Sequence, residues 1–384
     1  METGDTFSAR VESLASGGAG VLHLGGMAFF MDLCAPGDMV RGRVTELRGR
    51  WGRAELIEVL EASPHRVKPV CSLYGRCGGC GLQHIAYGAQ LEEKKNMLRD
   101  TLTRIGQLAY AGDLSLTRGS PLEYRNRMRF HRAETRTGAG VPGLKERRGS
   151  AVVALDDCPV SDTGIRRALR DKSLDVPAGK NHFTVYSRQG SFLIEGKKGR
   201  GTVTIAGKRL FLDAACFFQS NGALLEVLIQ DIRAAAKKAG TGLPAADVFA
   251  GVGTFSAFLE DMFPRMDLVE EDREALALAS KNVGPESRFF PLKDYEWAYR
   301  NKEKYGFMVL DPPRTGLSGT FSDFLSERGP PLLAYVSCNP ATLARDAKRL
   351  AKTYSLDSLK AYDFYPQTSH IESLAVFTRK GKPS

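Results

Sequence analysis

Residues 247–255, Asp-Val-Phe-Ala-Gly-Val-Gly-Thr-Phe, read as strand, glycine turn and helix, and the same alternation continues downstream. Apolar runs at 267–272 (DLVEED), 288–292 (RFFPL), 307–313 (FMVLDPP) and 332–338 (LLAYVSC) are mostly separated by helical stretches, and a helix over about 221–239 precedes them. Short strands alternating with helices fold as a doubly wound α/β sheet, with a ligand crevice at the carboxyl ends of the strands. The tail, LKAYDFYPQTSHIESLAVFTRK, holds two strand-like runs with no helix between them, which predicts a closing antiparallel pair.

Acidic residues sit at successive strand ends. Glu270 follows the second strand, about 20 residues beyond the glycines, where a carboxylate binds a ribose hydroxyl pair. Asp294 follows the third and is placed to reach an adenine edge; Asp311 ends the fourth, in Asp311-Pro-Pro-Arg314. Singly, each acid would read as a helix cap. Together they line one crevice. Gly251-Val-Gly253 runs on into Thr-Phe-Ser, so the third glycine of the dinucleotide fingerprint is missing. The set favours S-adenosyl-L-methionine (SAM) over a nicotinamide dinucleotide.

Cys338 closes the LLAYV strand and precedes a helix that begins near Pro340. A thiol at a helix N-terminus has its pKa lowered by the dipole, so the position predicts thiolate and a nucleophile. A lone cysteine is more often a small buried apolar residue; its place beside the crevice favours the nucleophile. His370-Ile-Glu372 falls on the late strand, where alternation puts both polar residues on one face. Glu372 is then a candidate general base.

The first half differs. Residues 1–62 hold short alternating runs broken by Gly and Pro-Gly turns, the pattern of a small β-barrel. Cys71, Cys77 and Cys80 lie within ten residues, and Cys158-Pro159 offers a fourth thiol. Four thiolates suit zinc or a [4Fe–4S] cluster. Without paired CxxC motifs the spacing leans to iron–sulfur, and it is not the CxxxCxxC spacing of radical-SAM enzymes. Residues 89–107 predict one helix, and 120–206 are mostly strand.

Charge is local. The formal net charge is +10; residues 41–53 carry five Arg and one Glu, and residues 118–148 carry nine Lys/Arg and three acids. Both stretches contain aromatics, which suits looped or single-stranded RNA as well as it suits a solvated basic face. An apolar share of 42% and a charged share of 26% exclude a disordered chain. No apolar run is long enough for a membrane span. An acidic start without an apolar segment predicts no signal peptide and a cytoplasmic location.

With these motifs together, the chain resembles the RNA uracil-C5 methyltransferases, above all the 23S rRNA members with an N-terminal TRAM barrel and an iron–sulfur cluster. GGAGVLHLGGMAFFMDLCAPGDMVRGRV resembles a TRAM domain, CSLYGRCGGCGLQH the cluster loop, and YRNRMRF, FFQSN, SCNPATLARD and TSHIES further family motifs. The resemblance implies a Rossmann-like class I SAM methyltransferase domain (89–117 and 207–384), an N-terminal OB-like TRAM barrel (1–62) and a mostly β central domain (63–88 and 118–206). It implies SAM contacts at Gln219, Phe249, Thr254, Glu270, Asp294 and Asp311. It implies cluster ligands Cys71, Cys77, Cys80 and Cys158, nucleophile Cys338 and base Glu372. The implied reaction is SAM-dependent methylation of uracil C5 in 23S rRNA through a Cys338 adduct at C6, by a monomer. A tRNA substrate, and an RNA-binding assembly factor on a methyltransferase fold, are the alternatives. Cytosine-C5 enzymes place a cysteine after the proline of the fourth-strand motif, and DPPR has none.

Overall fold

In the computed structural model, which describes residues 1–108, 110, 112, 114–134, 140–240 and 242–381, the first strands close into one six-stranded sheet. They are β1 (Thr6–Arg10), β2 (Ser13–Leu14), β3 (Gly20–Leu24), β4 (Met27–Met31), β5 (Met39–Arg48) and β6 (Trp51–Glu61), in the order β1-β5-β6-β4-β3-β2. β5 alternates with period 2: Val40, Gly42 and Val44 are buried while Arg41, Arg43 and Thr45 are exposed. Phe7, Leu22, Phe29, Met31 and Val44 fill the interior. A Cβ at Gly42 would stand 2.3 Å from Met31 Cε and 2.9 Å from Phe7 Cζ, so any larger residue there would push those side chains aside.

Helix α1 (Tyr87–Thr101) ends in a π-helical turn, Leu102–Gly106, rather than running on as one α-helix to 107. The turn presses Gly106 onto the Ala344 carbonyl, where a Cβ would stand 3.2 Å from the oxygen. β7 (Ser115–Thr117) follows. The central sheet is β8 (Arg127–Glu134), β9 (Gly140–Lys145), β10 (Val152–Ala154), β11 (His182–Arg188) and β12 (Ser191–Ile194), in the order β10-β9-β8-β11-β12, with α2 (Thr163–Arg170) between β10 and β11 in sequence. Met128, Phe130, Phe183 and Val185 turn one sheet face toward Ile165 and Leu169 of α2. The hairpin β13 (Arg200–Ile205) and β14 (Lys208–Asp213) spans the domain boundary expected at 206. Its Val203, Ile205, Leu210 and Leu212 share a core with Leu225 and Ile229 of α3 (Gly222–Ala236).

The remainder is an eight-stranded sheet. Its elements are β15 (Ala245–Val248), α4 (Thr254–Leu259), β16 (Met266–Val269), α5 (Arg273–Asn282), β17 (Arg288–Phe290), α6 (Asp294–Arg300), β18 (Phe307–Leu310), α7 (Gly319–Arg328), β19 (Leu332–Ser337), α8 (Pro340–Leu350), β20 (Tyr354–Tyr362) and β21 (Glu372–Arg379). The order is β17-β16-β15-β18-β19-β21-β20-β7. β15 to β19 are parallel, and the predicted tail pair, β20 and β21, is antiparallel. β15, β16, β18 and β19 are buried along their whole length, as strands covered on both faces must be. No described helix is long and apolar enough to cross a membrane.

Candidate active site

Strand order reverses at β15, between β16 and β18, so the loops leaving β15 and β18 diverge and open a crevice. A cavity of about 700 Å³ occupies it. Its lining takes in Gln219, Phe249, Glu270, Asp294, Asp311, Cys338 and Glu372, each named from the sequence. Thr254 is not among the lining residues; it is the buried first residue of α4. Phe217, Arg314, Tyr365 and His370 also line the cavity. Phe217 was not singled out from the sequence although it lies two residues before Gln219. Of two adjacent phenylalanines, Phe218 is 2% exposed and Phe217 59% exposed, and Arg127 lies over the Phe217 ring at 5.6 Å.

One half of the cavity is built for a nucleoside. The turn after β15 holds Phe249 at φ +70° and Gly253 at +75°. A positive φ at phenylalanine is strained, and such strain gathers at ligand sites. Glu270 accepts from the Gly251 N–H (2.9 Å) and the Asp272 N–H (2.8 Å), so its carboxylate is fixed at the crevice edge. Asp294 both starts α6 and accepts from the Ser318 N–H at 3.0 Å, tying two crevice loops together. Gln219 donates to Asp311 at 3.4 Å, and its own Oε1 is buried without a partner. A buried acceptor with no donor marks where a ligand group docks. These residues fit SAM, a nucleoside with an adjacent positive charge.

The other half holds thiol and carboxylate. β21 runs antiparallel to β19, pairing Ser337 with Ser373, so Cys338 and Glu372 leave neighbouring strand ends side by side. Glu372 is fully buried, and burial, followed by the Asp311 charge, pushes its pKa well up. Its Oε1 has no hydrogen-bond partner. The sequence expected the helix dipole to lower the Cys338 pKa. Instead burial, then Glu372 and Asp311, push it up to about 11. Burial, with two carboxylates from other strands adding to it, raises the thiol where the local helix end predicted lowering. Alkylation of Cys338 in the ligand-free protein should therefore quicken about tenfold per pH unit from roughly pH 7 to 9. Peptide mass mapping reads the rate, and a pH-independent rate refutes the raised pKa.

Comparison with known proteins fits this geometry. The family described as tRNA (Uracil-5-)-methyltransferase matches residues 274–380. An uncharacterized RNA methyltransferase of Thermosynechococcus vestitus is 29% identical over 98% of this chain and 99% of its own. The 23S rRNA (uracil(1939)-C(5))-methyltransferase RlmD of Acidithiobacillus ferrooxidans is 28% identical over 96% of each chain. Over nearly its whole length the chain is thus similar to RNA methyltransferases, several of them named as uracil-C5 enzymes. Its fold matches that of the Pyrococcus abyssi tRNA (uracil-54, C5)-methyltransferase, with a TM-score of 0.74 and 22% identity over 97% of this chain and all of that one.

Outside its crevice, the protein has a second, small cavity of about 30 Å³, lined by Cys71, Cys77, Cys80 and Cys158. Gly78 lets the cysteine loop press onto β9, since a Cβ there would stand 3.0 Å from the Glu146 carbonyl oxygen. Its N–H donates to Lys145 O at 2.9 Å.

The basic stretches are not simple RNA faces. In the barrel, Arg41 pairs with Glu58, Arg43 with Glu55, and Arg48 and Arg53 with Glu46. In the second stretch, Arg127 donates to Cys216 O (3.0 Å) and Arg147 to Cys80 O (2.6 Å), bracing loops instead of facing solvent.

Proposed function

We propose that this enzyme methylates C5 of a uridine in 23S rRNA, with Cys338 as nucleophile and Glu372 as base. The observation that carries the reading is the side-by-side exit of Cys338 and Glu372 from β19 and β21, in the cavity lined by Glu270, Asp294 and Asp311. Uracil C5 is a weak nucleophile. Attack of the Cys338 thiolate on C6 moves the C5–C6 π electrons toward the C4 oxygen and makes C5 enolate-like. SAM, when bound, would supply the methyl group, its C–S bond breaking to leave S-adenosyl-L-homocysteine. C5 takes the methyl, Glu372 removes the C5 proton, and the C6–S bond breaks to restore the double bond and the thiolate. Glu372 and Cys338 both act deprotonated, whereas burial raises the pKa of each in the ligand-free protein. C6 is reached only when the base is turned out of its stack into the cavity.

The rRNA assignment is supported by relatives bearing the 23S rRNA name, 28–29% identical over 95–98% of this chain. The tRNA description of the matching family supports a second reading, a tRNA uridine. Incubation with labelled SAM and separate rRNA and tRNA pools, followed by mapping of the methylated base, decides between them. Label in neither pool refutes both. The N-terminal sheet, with exposed Arg41, Arg43 and Arg53 on one side, is the TRAM-like RNA module in this reading.

Cys71, Cys77, Cys80 and Cys158 are the proposed ligands of a [4Fe–4S] cluster. The donor set is all sulfur, which suits iron–sulfur or zinc. Among the described residues no group of three or more His, Cys, Asp or Glu side chains is placed to hold a metal ion. The proposal rests on the all-sulfur donor set and on the four thiols lining one small cavity. A cluster there would cross-link the 71–80 loop to Cys158, away from the reacting base. Cys80→Ala should remove the visible absorption of the anaerobically purified protein and lower its melting temperature. A colourless wild-type protein free of iron and sulfide overturns the assignment.

A further inference from the structure

We propose that the solvent face of β8, flanked by β9 and β11, is the track that grips single-stranded RNA beside the target uridine, with Arg129 and Lys145 as its phosphate contacts. The proposal rests on the RNA reading above and adds where the strand runs.

Alternation on β8 buries Met128 and Phe130 and turns Arg127, Arg129 and His131 to the opposite face. The row starts at the catalytic cavity, because Arg127 is the residue stacked on Phe217 at its rim. From there each step of two residues carries the row about 6.7 Å outward along the strand. Arg127 is anchored by its bond to Cys216 O, whereas Arg129 is exposed. His182 of β11 stands opposite His131, with ring centroids 6.2 Å apart. Lys145, at the exposed end of β9, is close enough to help lower the His131 pKa, after burial and together with Arg129 and His182. Its backbone is pinned by the Gly78 N–H.

The two cations of this face carry charge that no acid among the described residues pairs. The barrel arginines face their own glutamates, as described above. Near the track the ion pairs belong to others, Arg148 with Asp32 and Lys180 with Glu195, and among the described residues Arg129 and Lys145 have none. Glu195, the acid facing this side, is already held by Lys180 and the Thr184 N–H. Among the described residues none of the exposed large apolar side chains lies on β8, β9 or β11. A face that is basic, polar and continuous with the catalytic rim suits a phosphate backbone rather than a protein partner.

The test compares wild type with Arg129→Gln/Lys145→Gln, using a uridine-centred single-stranded RNA that runs past the cavity on both sides. Each phosphate contact contributes about 0.7 to the slope of log affinity against log salt for single strands. The double variant should therefore lower that slope by about 1.4 and weaken binding at low salt by roughly tenfold or more. Lys145→Gln alone should lower it by about half as much, and kcat at saturating RNA should be unchanged. Both variants should keep the wild-type melting temperature, since these side chains are exposed. A double-variant slope within about 0.3 of wild type overturns the track. Failure of the wild-type enzyme to methylate any RNA overturns the uracil reading instead, and the two results are scored separately.

Discussion

Cys338→Ala loses methyl transfer, with kcat down by on the order of 10⁴-fold or more, while SAM binding holds within about twofold. The split follows from how the cavity is divided. Phe249, Glu270 and Asp294 belong to the β15–β17 side, and nothing there is held by the Cys338 side chain. The thiol supplies one thing, the bond to C6 that makes C5 nucleophilic, and alanine offers no substitute for it. Positioning of donor and base survives, but positioning two unreactive partners accelerates little. Glu372→Gln separates the two halves of the reaction. It keeps the side-chain shape, so attack and methylation proceed, but the C5 proton stays and the covalent protein–RNA adduct accumulates. Denaturing gels of the two variants with labelled RNA read both outcomes. Methylation by Cys338→Ala at the wild-type rate ends the covalent mechanism.

The crevice was legible because its residues follow from topology. Each parallel strand in a doubly wound sheet ends at the same edge, so Glu270, Asp294, Asp311 and Cys338 meet wherever their strands lie in sequence. The ionisation of Cys338 was not legible. Its helix is local and visible in SCNPATL, but the burial that raises the pKa is tertiary, and the carboxylates that add to it come from the ends of β18 and β21. The pairing of the charges was not legible for a related reason. Arg41 and Arg43 look free in sequence, and only the β5–β6 register, with its bulges, sets Glu58 and Glu55 opposite them. Arg127 and Arg147 look like RNA contacts, yet each spends its guanidinium on a distant carbonyl. Nor does the helical spacing of 89–107 reveal that Lys94 is buried, since its partner Asp363 lies far along the chain.

Lys94→Met should destabilise the protein by about 3–5 kcal/mol, a large effect for one side chain. Lysine is almost never fully buried unless paired. Lys94 is buried completely and donates to Asp363 Oδ1 at 2.5 Å and to Tyr365 O at 3.1 Å. Methionine keeps the apolar stem but leaves the Asp363 charge uncompensated in the interior, where its Oδ2 already has no partner. At roughly 2–4 °C per kcal/mol for a chain of this kind, the melting temperature should fall by about 10 °C. Removing both charges, Lys94→Met with Asp363→Leu, should recover most of the loss, because the penalty lies in the orphaned carboxylate rather than in the missing bond. The consequence reaches the active site through the chain itself. Asp363 begins the segment that carries Tyr365 and His370 to the cavity and leads into Glu372. Gln90, one turn before Lys94, exchanges hydrogen bonds with Gln367 (2.9 and 3.1 Å), which sits at a strained φ of +67°. Gln367 O in turn accepts from Gly81 and Leu82, just past the cysteine loop. α1 thus fastens cysteine loop and catalytic segment to one another, and loosening Lys94 should lower kcat along with stability. Thermal unfolding of the single and double variants checks the energetics. A single variant as stable as wild type, or a double variant no better than the single, refutes the buried-pair account.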